Sequence, residues 1–361
     1  MQVLWVISTH AGEIDYFLPL LNQLNKYKIK IRVIFLNKKV LEQFHNNSFY
    51  KECFKNFNIE YTSINFLHSK KLDNFYNLLI ILLKLPFLIN QILVSKKIFF
   101  EKSNSTKSSK FFSFLCNFLR KEVILYPHAV QVYQDWLPQK QKNLFKFHKV
   151  LLSHASEKNH YINKLNFFNY ILIGHPYSCK DWKNFLEKKF NFKKKNQATI
   201  ILGKVFGSED KFYEEINLIV NILKKKDNNL DIILKAHPSM NIETIENKIN
   251  LMNENFIKFS FTTDHVVECF VKSKFSIVVN NSSSWIAYFL KEKYLEYCNP
   301  HYMKIIDRTK TSVNLVDNNS CYKLNELENK IINFDLENNF KTLNMDEYSF
   351  NSNEFKSIFK N

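Results

Sequence analysis

The sequence predicts an α/β protein of two domains, each built on a parallel sheet. Short apolar runs typical of buried strands alternate with helical segments, a pattern that places helices against parallel strands. At 361 residues the chain exceeds the size at which one hydrophobic core keeps growing. Because 45% of its residues are hydrophobic, it has enough apolar side chains for two cores.

The alternation begins at the first residues. In the first half, apolar runs predict strands at 3–8, 29–36, 150–153 and 170–173, and helical patterns predict helices at 14–26 and around 40–56. In the second half, the expected strands are 198–202, 230–234, 257–260 and 275–279, and the expected helices are 209–226, 242–251, 264–272 and 324–332. Strands and helices in this order favour parallel sheets in both halves.

The composition also sets domain boundaries. We expect a first domain at 1–180, a Lys- and Asn-rich linker at 181–198 and a second domain at 199–335. The remaining residues, 336–361, are expected to form a tail that packs back on the first domain.

The chain is strongly basic, with a formal net charge of +17. Arg32, Arg120 and Arg308 are the only arginines among its 51 Lys and Arg residues. Arginine is the side chain that reads bases and phosphates through paired hydrogen bonds, so the composition does not favour sequence-specific nucleic-acid binding. The excess of Lys, Asn, Ile and Phe is typical of an AT-rich coding sequence.

The cysteines and the first residues indicate where the protein resides. The six cysteines are scattered, with no pair at the C-x-x-C spacing of a zinc or redox site. The first residues lack a basic region followed by a long apolar run, so we expect no export signal. Both features favour a cytoplasmic protein with reduced thiols.

Residues 78–94 form the most apolar stretch of the chain. Lys84, Pro86 and Asn90 interrupt it and its length is at the lower limit of a bilayer span, so a core or interfacial helix is favoured over a transmembrane one. The lysines that follow it are Lys96, Lys97, Lys102, Lys107 and Lys110. An apolar helix beside cationic residues favours peripheral binding to the anionic inner face of the plasma membrane; a core helix followed by a solvated loop is the alternative.

Two turns in the second half carry the clearest chemical signal. Lys-Ala-His-Pro at 235–238 follows the apolar run 230–234, and Asn-Asn-Ser-Ser-Ser at 280–284 follows the run 275–279. Each places polar donors where a buried parallel strand gives way to a helix, and ligands of open α/β sheets bind at such strand ends. Helix starts there also attract anions, so the turns predict a phosphate-bearing ligand.

These residues resemble a known group of enzymes. The segment 232–238, Asp-His-Val-Val-Glu at 264–268 and Asn-Asn-Ser-Ser-Ser-Trp at 280–285 together resemble the C-terminal half of bacterial GT-B transferases that carry an HP motif and a paired-serine motif. That group includes CDP-glycerol glycerophosphotransferases, bacterial sialyltransferases and capsule polysaccharide transferases. Ile-Leu-Ile-Gly-His-Pro at 171–176, with Asp181, also resembles their interdomain segment.

The resemblance implies two Rossmann-like domains whose parallel sheets face an interdomain cleft, with the donor nucleotide bound by the second domain. The donor-binding residues that it implies are Gly203, Lys204, Lys235, His237, Pro238, Glu268, Ser282, Ser283 and Ser284. Simpler roles remain open for some of them. The serines suit ordinary N-capping, His237 suits a turn before proline, and Lys235 suits a solvated strand end.

The first domain is expected to bind the acceptor and to supply a general base. His128, after the apolar run 123–125, resembles the His-Gly turn of the CDP-glycerol transferases, although Ala129 replaces the glycine. A histidine suits proton removal near neutral pH. The competing candidates lie in one segment after the first strand: His10, Glu13 and Asp15 as catalytic residues and Gly12 at the acceptor. His10 and Glu13 would also suit the start of the first helix, and His128 a buried turn.

The leading interpretation is therefore an inverting, metal-independent glycosyltransferase or polyol-phosphate transferase. It would move a group from a nucleotide-activated donor, CMP- or CDP-linked, to a glycan or lipid-linked glycan acceptor at the cell surface. No Asp-x-Asp pair ends a predicted strand, so no metal and no cofactor are expected. The alternatives are an enzyme like the non-hydrolysing UDP-N-acetylhexosamine 2-epimerases and a non-catalytic scaffold that binds anionic surfaces.

Overall fold

The structure is a computed structural model in which two compact units are distinguished, Met1–Phe185 with Asp346–Asn361, and Leu186–Met345. It describes residues 1–360 apart from 9–11, 65–73, 102–106, 127–144, 156, 158–168, 191, 204–208, 239, 253–257, 282, 299–319 and 334–347. The side chains of 74–82 and 107 also lie outside the description.

The first unit contains a seven-stranded parallel sheet in the order β3-β2-β1-β4-β5-β6-β7. Its strands are β1 (Gln2–Ile7), β2 (Lys30–Phe35), β3 (Glu60–Ser63), β4 (Lys97–Glu101), β5 (Val123–Tyr126), β6 (His148–Leu152) and β7 (Tyr170–Leu172). Its helices are α1 (Gly12–Lys26), α2 (Lys38–His45), α3 (Ser48–Asn56), α4 (Asn74–Val94), α5 (Lys107–Phe118) and, shared with the start of the second unit, α6 (Lys180–Phe190).

Both faces of this sheet are covered because its central strands are apolar on both sides. On one face Trp5 stacks on Phe17 of α1, with ring centroids 4.5 Å apart. On the other face Val6 belongs to a core that includes Leu88 of α4 and Phe112 of α5. The order in which the chain adds strands reverses at β1: β2 and β3 lie on one side of it, and β4 to β7 on the other. Ligands of doubly wound sheets bind at this reversal of strand order, here between β1 and β4.

The second unit contains a six-stranded sheet, parallel throughout, in the order β10-β9-β8-β11-β12-β13. Its strands are β8 (Lys195–Leu202), β9 (Asp231–Lys235), β10 (Ser260–Phe261), β11 (Ser273–Val279), β12 (Tyr294–Tyr297) and β13 (Ser320–Cys321). Its further helices are α7 (Glu209–Lys226), α8 (Ile242–Met252), α9 (Val266–Lys272), α10 (Ser284–Leu290) and α11 (Leu324–Ile332). The corresponding reversal of strand order lies between β8 and β11.

The last helix, α12 (Ser352–Ser357), belongs to the first unit. Its Phe355 is fully buried and lies near Phe99 and Tyr27. The segment before α12 packs on Gly174, whose φ of 74° is in the left-handed region that favours glycine. A Cβ atom at Gly174 would lie 2.1 Å from the carbonyl oxygen of Ser349.

The α/β prediction is confirmed, and several local expectations need correction. The helix expected around 40–56 is two helices, because Asn47 accepts a hydrogen bond from the Tyr50 N–H and starts α3. The range 181–198, which stays a predicted linker, includes most of α6, the first half of β8 and the division between the two units. Helix α5 lies in the region after α4 where a solvated loop was the alternative, and its Phe114 is 62% exposed. In the part of the chain that is described, no helix is long and apolar enough to cross a membrane.

Candidate nucleotide site and candidate base

The strand ends at the reversal in the second sheet are held together by backbone contacts. The Gly203 N–H donates to the Val279 carbonyl at 2.7 Å, and the Asn281 side-chain amide donates to the Leu202 carbonyl at 3.1 Å. A Cβ atom on Gly203 would lie 2.0 Å from the carbonyl oxygen of Asn280. Residue 203 therefore has to be glycine for these two turns to meet.

Asn280 and Ser283 present polar atoms that lack partners. Each residue is 8% exposed, and neither the two amide atoms of Asn280 nor the Ser283 hydroxyl has a hydrogen-bond partner among the described residues. Asn280 also has a φ of 49°, a left-handed conformation that asparagine tolerates better than most residues. A buried polar group without a partner costs about 1–3 kcal/mol. A polar ligand at this edge would supply the partners.

The serine turn is not a conventional helix cap. Ser283 precedes α10 but makes no side-chain capping hydrogen bond, and its backbone N–H donates to the Asn281 side chain at 3.0 Å. The Ser284 hydroxyl donates back to the Asn281 carbonyl at 3.5 Å. Capping of α10 therefore does not account for the Ser283 hydroxyl. Ser282 lies outside the described residues.

The Lys-Ala-His-Pro turn lies at the same edge, because β9 is the neighbour of β8. Lys235 ends β9 and is half-buried. It lies near Cys269: burial raises the pKa of that thiol to about 12, and the positive charge of Lys235 partly opposes the rise. His237 is half-buried and its carbonyl accepts the Met240 N–H at 2.9 Å. Pro238 is exposed. The neighbouring strands β9, β8 and β11 thus end at the same edge: β9 and β11 in turns with polar donors, and β8 at the closely packed Gly203.

Glu268, also expected to bind the donor, has a local structural role. Its carboxylate accepts the His265 N–H at 3.0 Å while the His265 ring accepts the Val267 N–H at 3.2 Å, a reciprocal cap of α9. Lys272 forms an ion pair with Glu268 at 3.1 Å. The carboxylate is therefore already engaged within α9.

In the first unit, the two described base candidates lie on the first turn of α1, which begins at Gly12. Glu13 is fully buried and accepts hydrogen bonds from the Ser8 N–H at 3.1 Å and from the Ser8 hydroxyl at 3.4 Å. Asp15 is half-buried and accepts the Tyr50 hydroxyl at 2.6 Å. His10, His128 and the donor candidate Lys204 lie outside the described residues.

A second buried carboxylate, Glu101, was missed by the sequence reasoning. It ends β4 on the other side of the reversal, is 1% exposed, and pairs in register with Tyr126 at the end of β5. Burial raises the pKa of Tyr126 well above 10, and the nearby carboxylates of Glu13 and Glu101 raise it further. Glu101 directly follows the apolar run Ile98–Phe100. A polar residue in that position is the same signal that marked the turns of the second half, so the sequence did contain an indication of this carboxylate.

A further polar group follows β6. The hydroxyls of Tyr16 and Ser153 lie 2.5 Å apart, and the Ser153 N–H donates to the Glu157 carboxylate at 2.8 Å. Ser153 and Glu157 are both buried. Neither was predicted, because the contact with Tyr16 joins residues that are far apart in the chain. Among the described residues, no cluster of three His, Cys, Asp or Glu side chains suits a metal ion.

Comparisons with known proteins agree with this architecture. A UDP-GlcNAc 2-epimerase of Methanocaldococcus jannaschii is similar at 13% identity and a TM-score of 0.62, over 100% of this chain and 99% of that chain. S. aureus MnaA, solved with UDP, is similar at 12% identity and a TM-score of 0.57, over 92% and 88%. The E. coli heptosyltransferase WaaC, with ADP-2-deoxy-2-fluoro heptose, is similar at 12% identity and a TM-score of 0.50, over 92% and 98%.

No family model matches the chain, and no curated protein matches its sequence. The structural similarities therefore define a fold class, the GT-B type with two Rossmann-like domains, which confirms the expected class. At these identities they establish the fold and not the reaction.

Proposed function

We propose that the chain is a nucleotide-sugar-dependent transferase that moves a sugar or polyol phosphate from a CMP- or CDP-linked donor to a cell-surface glycan. The observation that carries the proposal is the buried amide of Asn280 at the reversal of the second sheet, which has no hydrogen-bond partner in the described part of the chain. The sequence resemblance favours the cytidine donor and the glycan acceptor. The solved proteins of the same fold support a nucleotide-activated donor, since their structures contain UDP or an ADP-sugar.

The chemistry of the second unit suits a nucleotide phosphate. The Asn280 amide N–H and the Ser283 hydroxyl are donors for phosphate oxygens, and Lys235 adds a positive charge at the same sheet edge. Donors fixed before the reaction stabilise the charge that develops on a departing nucleotide, and a water-poor setting strengthens them. This role does not require a metal ion.

We place the acceptor and the base in the first unit. His128, His10, Glu13 and Asp15 remain the candidates for the base. Asp15 is the more open of the two described acids, whereas Glu13 holds the end of β1 through Ser8. A base variant should lower kcat and leave nucleotide affinity unchanged, because the base acts on the acceptor hydroxyl.

Epimerisation of a nucleotide sugar is the second candidate, and the buried carboxylates Glu13 and Glu101 favour it. Inversion of a carbon by removal and return of a proton needs two acid or base groups, and both carboxylates lie within electrostatic range of Tyr126. The two reactions are separated by incubating UDP-GlcNAc with the protein in D₂O. Deuterium at the inverted carbon without acceptor would indicate epimerisation, whereas transfer requires an acceptor and leaves that hydrogen in place.

The central experiment is a thermal-shift screen of CMP, CDP, UDP, GDP and ADP. A nucleotide at one hundred times its Kd stabilises the folded protein by about 2.7 kcal/mol, a shift that is readily measured. We expect a cytidine nucleotide to give the largest shift. If none of the five shifts the melting temperature at millimolar concentration, the proposal is wrong.

Two variants locate the site and one is a matched control. Asn280→Gly removes the amide and keeps the left-handed backbone, and Ser283→Ala removes the hydroxyl, so both should weaken the nucleotide shift without lowering stability. Ser276→Ala removes another buried hydroxyl without a partner among the described residues, from the middle of β11. It should leave the shift intact. If all three variants kept the wild-type shift in melting temperature with the nucleotide, the nucleotide would bind elsewhere.

A further inference from the structure

The described outward side chains of α4 and α5 are largely apolar, with Asn90 as an exposed polar residue on α4, although the outward face of a surface helix is normally polar. On α4 the exposed side chains include Leu83 at 72%, Phe87 at 39% and Val94 at 52%. On α5, Phe114 is 62% exposed and Phe118 74% exposed. Their spacing of four or seven residues places each set on one side of its helix, so the exposure is a property of a face and not of isolated residues.

The two helices lie on the same side of the first sheet. The inner residues Leu88 and Ile92 of α4 share one core with Phe112 and Leu115 of α5. The Lys121 ammonium, just after α5, donates to the Leu93 carbonyl at 2.7 Å, which ties the two C-terminal ends together. We call the outward residues Leu83, Phe87, Val94, Phe114 and Phe118 the α4–α5 face, because both helices cover the same side of the sheet.

The charge around this face is predominantly positive, since the acid directly after the stretch, Glu122, forms ion pairs with Lys97 and Lys149. Between Asn74 and Lys121 the sequence contains one acidic residue, Glu101, and that residue is buried at the end of β4. The basic residues of the same stretch are Lys84, Lys96, Lys97, Lys102, Lys107, Lys110, Arg120 and Lys121. Lys96, Lys110 and Arg120 are exposed, so cations flank the apolar side chains.

We propose that the α4–α5 face docks on an anionic lipid bilayer. The exposed aromatic and aliphatic side chains would enter the boundary between headgroups and acyl chains, and the flanking cations would pair with lipid phosphates. A helix that lies in the interface needs this combination, because apolar burial and electrostatic attraction both contribute to binding. The absence of exposed acid from this stretch matches an anionic surface and does not match a basic or neutral partner. The proposal does not depend on the identity of the nucleotide or of the reaction.

Vesicle flotation tests the proposal with the full-length chain. We expect the protein to float with vesicles of phosphatidylcholine and phosphatidylglycerol, and to bind pure phosphatidylcholine at least about tenfold more weakly. Phe114→Ser combined with Phe118→Ser should lower partitioning at least about tenfold, because two exposed rings no longer enter the interface. Lys110→Gln combined with Arg120→Gln should lower it by a similar factor and reduce its sensitivity to salt.

Matched controls separate docking from general charge or hydrophobicity. Leu218→Ser with Leu251→Ser removes exposed apolar side chains from α7 and α8, and Lys188→Gln with Lys189→Gln removes two exposed charges from α6. Both control proteins should float like the wild type. All variants change exposed residues, and equal melting temperatures will show that folding is intact.

Three results would overturn the proposal. Unchanged flotation of the double phenylalanine variant would exclude the α4–α5 face. An equal loss in the Lys188 and Lys189 control would show that binding follows net charge alone. A wild-type dimer in sedimentation velocity that the Phe114 and Phe118 changes convert to a monomer would show that the face contacts a second copy of the chain.

Discussion

Gly203 and Asn280 are in backbone contact at the reversal of the second sheet. A Cβ atom at residue 203 would lie 2.0 Å from the Asn280 carbonyl oxygen and 2.6 Å from its carbonyl carbon. The same two turns are joined by the hydrogen bond from Gly203 to Val279. The position of the Asn280 amide therefore depends on the absence of a side chain at residue 203.

Gly203→Ala should destabilise the protein by at least about 2 kcal/mol, since the added methyl group meets backbone atoms that cannot rotate away. Urea unfolding measures the change. Combining it with Asn280→Gly should not restore stability, because the clash involves the carbonyl group and not the Asn280 side chain. A Gly203→Ala protein with wild-type stability would contradict the observed packing.

Two helices of the second unit, α7 and α11, were predicted well because their signals are local, whereas β12 and β13 were not predicted and no bounds were predicted for α10. The bounds of α7 and α11 agree with the expected helices 209–226 and 324–332, since each has a clear apolar stripe and, at its start, acidic residues that favour helix initiation. The turn at 280–284 could be recognised for the same reason, as polar residues directly after an apolar run.

Tertiary packing accounts for what the sequence reasoning missed. The contact of Tyr16 with Ser153 joins α1 to the end of β6, and nothing in either local pattern indicates it. Gly174 could be recognised as a strand-end glycine, but its packing against Ser349 depends on where the C-terminal segment crosses. Phe114 is exposed although aromatic residues at helical spacing usually face inward, and its local sequence pattern does not indicate this.

Gly174→Ala should release the C-terminal segment. The left-handed φ of 74° alone makes alanine unfavourable by about 1 kcal/mol, and the Cβ atom would meet the Ser349 carbonyl oxygen at 2.1 Å. Two backbone hydrogen bonds join the same segments: the His175 N–H donates to the Tyr348 carbonyl at 2.9 Å, and the Asn351 N–H donates to the Ile173 carbonyl at 2.8 Å.

Limited proteolysis followed by mass spectrometry measures this release. We expect cleavage near residues 348–351 to be faster in the variant, while the second unit keeps its wild-type cleavage pattern. Unchanged protection of the C-terminal segment would contradict the prediction.

Tyr126→Phe should destabilise the first unit by about 1–3 kcal/mol. The Tyr126 hydroxyl accepts the Trp5 indole N–H at 2.8 Å, and both side chains are fully buried. Removing the acceptor leaves a buried donor without its partner. Urea unfolding followed by tryptophan fluorescence measures the change.

Tyr177→Phe is the matched control for Tyr126→Phe. The Tyr177 side chain is also buried, but its hydroxyl has no hydrogen-bond partner among the described residues. Its removal should leave the free energy of unfolding unchanged or slightly raise it, because no interaction is lost. Equal destabilisation by the two changes would show that loss of the Trp5 hydrogen bond is not the cause.

His175 should make the protein less stable in mild acid. Burial lowers the pKa of its imidazole from 6.5 to about 3, and the neutral ring accepts the Tyr177 N–H at its Nδ1 atom. In the unfolded chain the ring takes up a proton as the pH falls below about 6.5, whereas in the folded protein it stays neutral until about pH 3. The unfolded state therefore binds more protons throughout this window, and the free energy of unfolding falls by up to about 1.4 kcal/mol per pH unit as the pH decreases.

His175→Asn isolates this contribution, because the asparagine side chain can still accept the Tyr177 N–H but does not titrate. Urea unfolding of both proteins between pH 7 and pH 4 gives the difference between their free energies of unfolding at each pH. The titration of carboxylates is common to both proteins and cancels in that difference. The wild type should lose stability faster than the variant as the pH falls below 6.5, with the two curves converging or crossing in mild acid. Parallel curves across that range would show that His175 titrates equally in the folded and unfolded states, and that its burial does not hold it neutral.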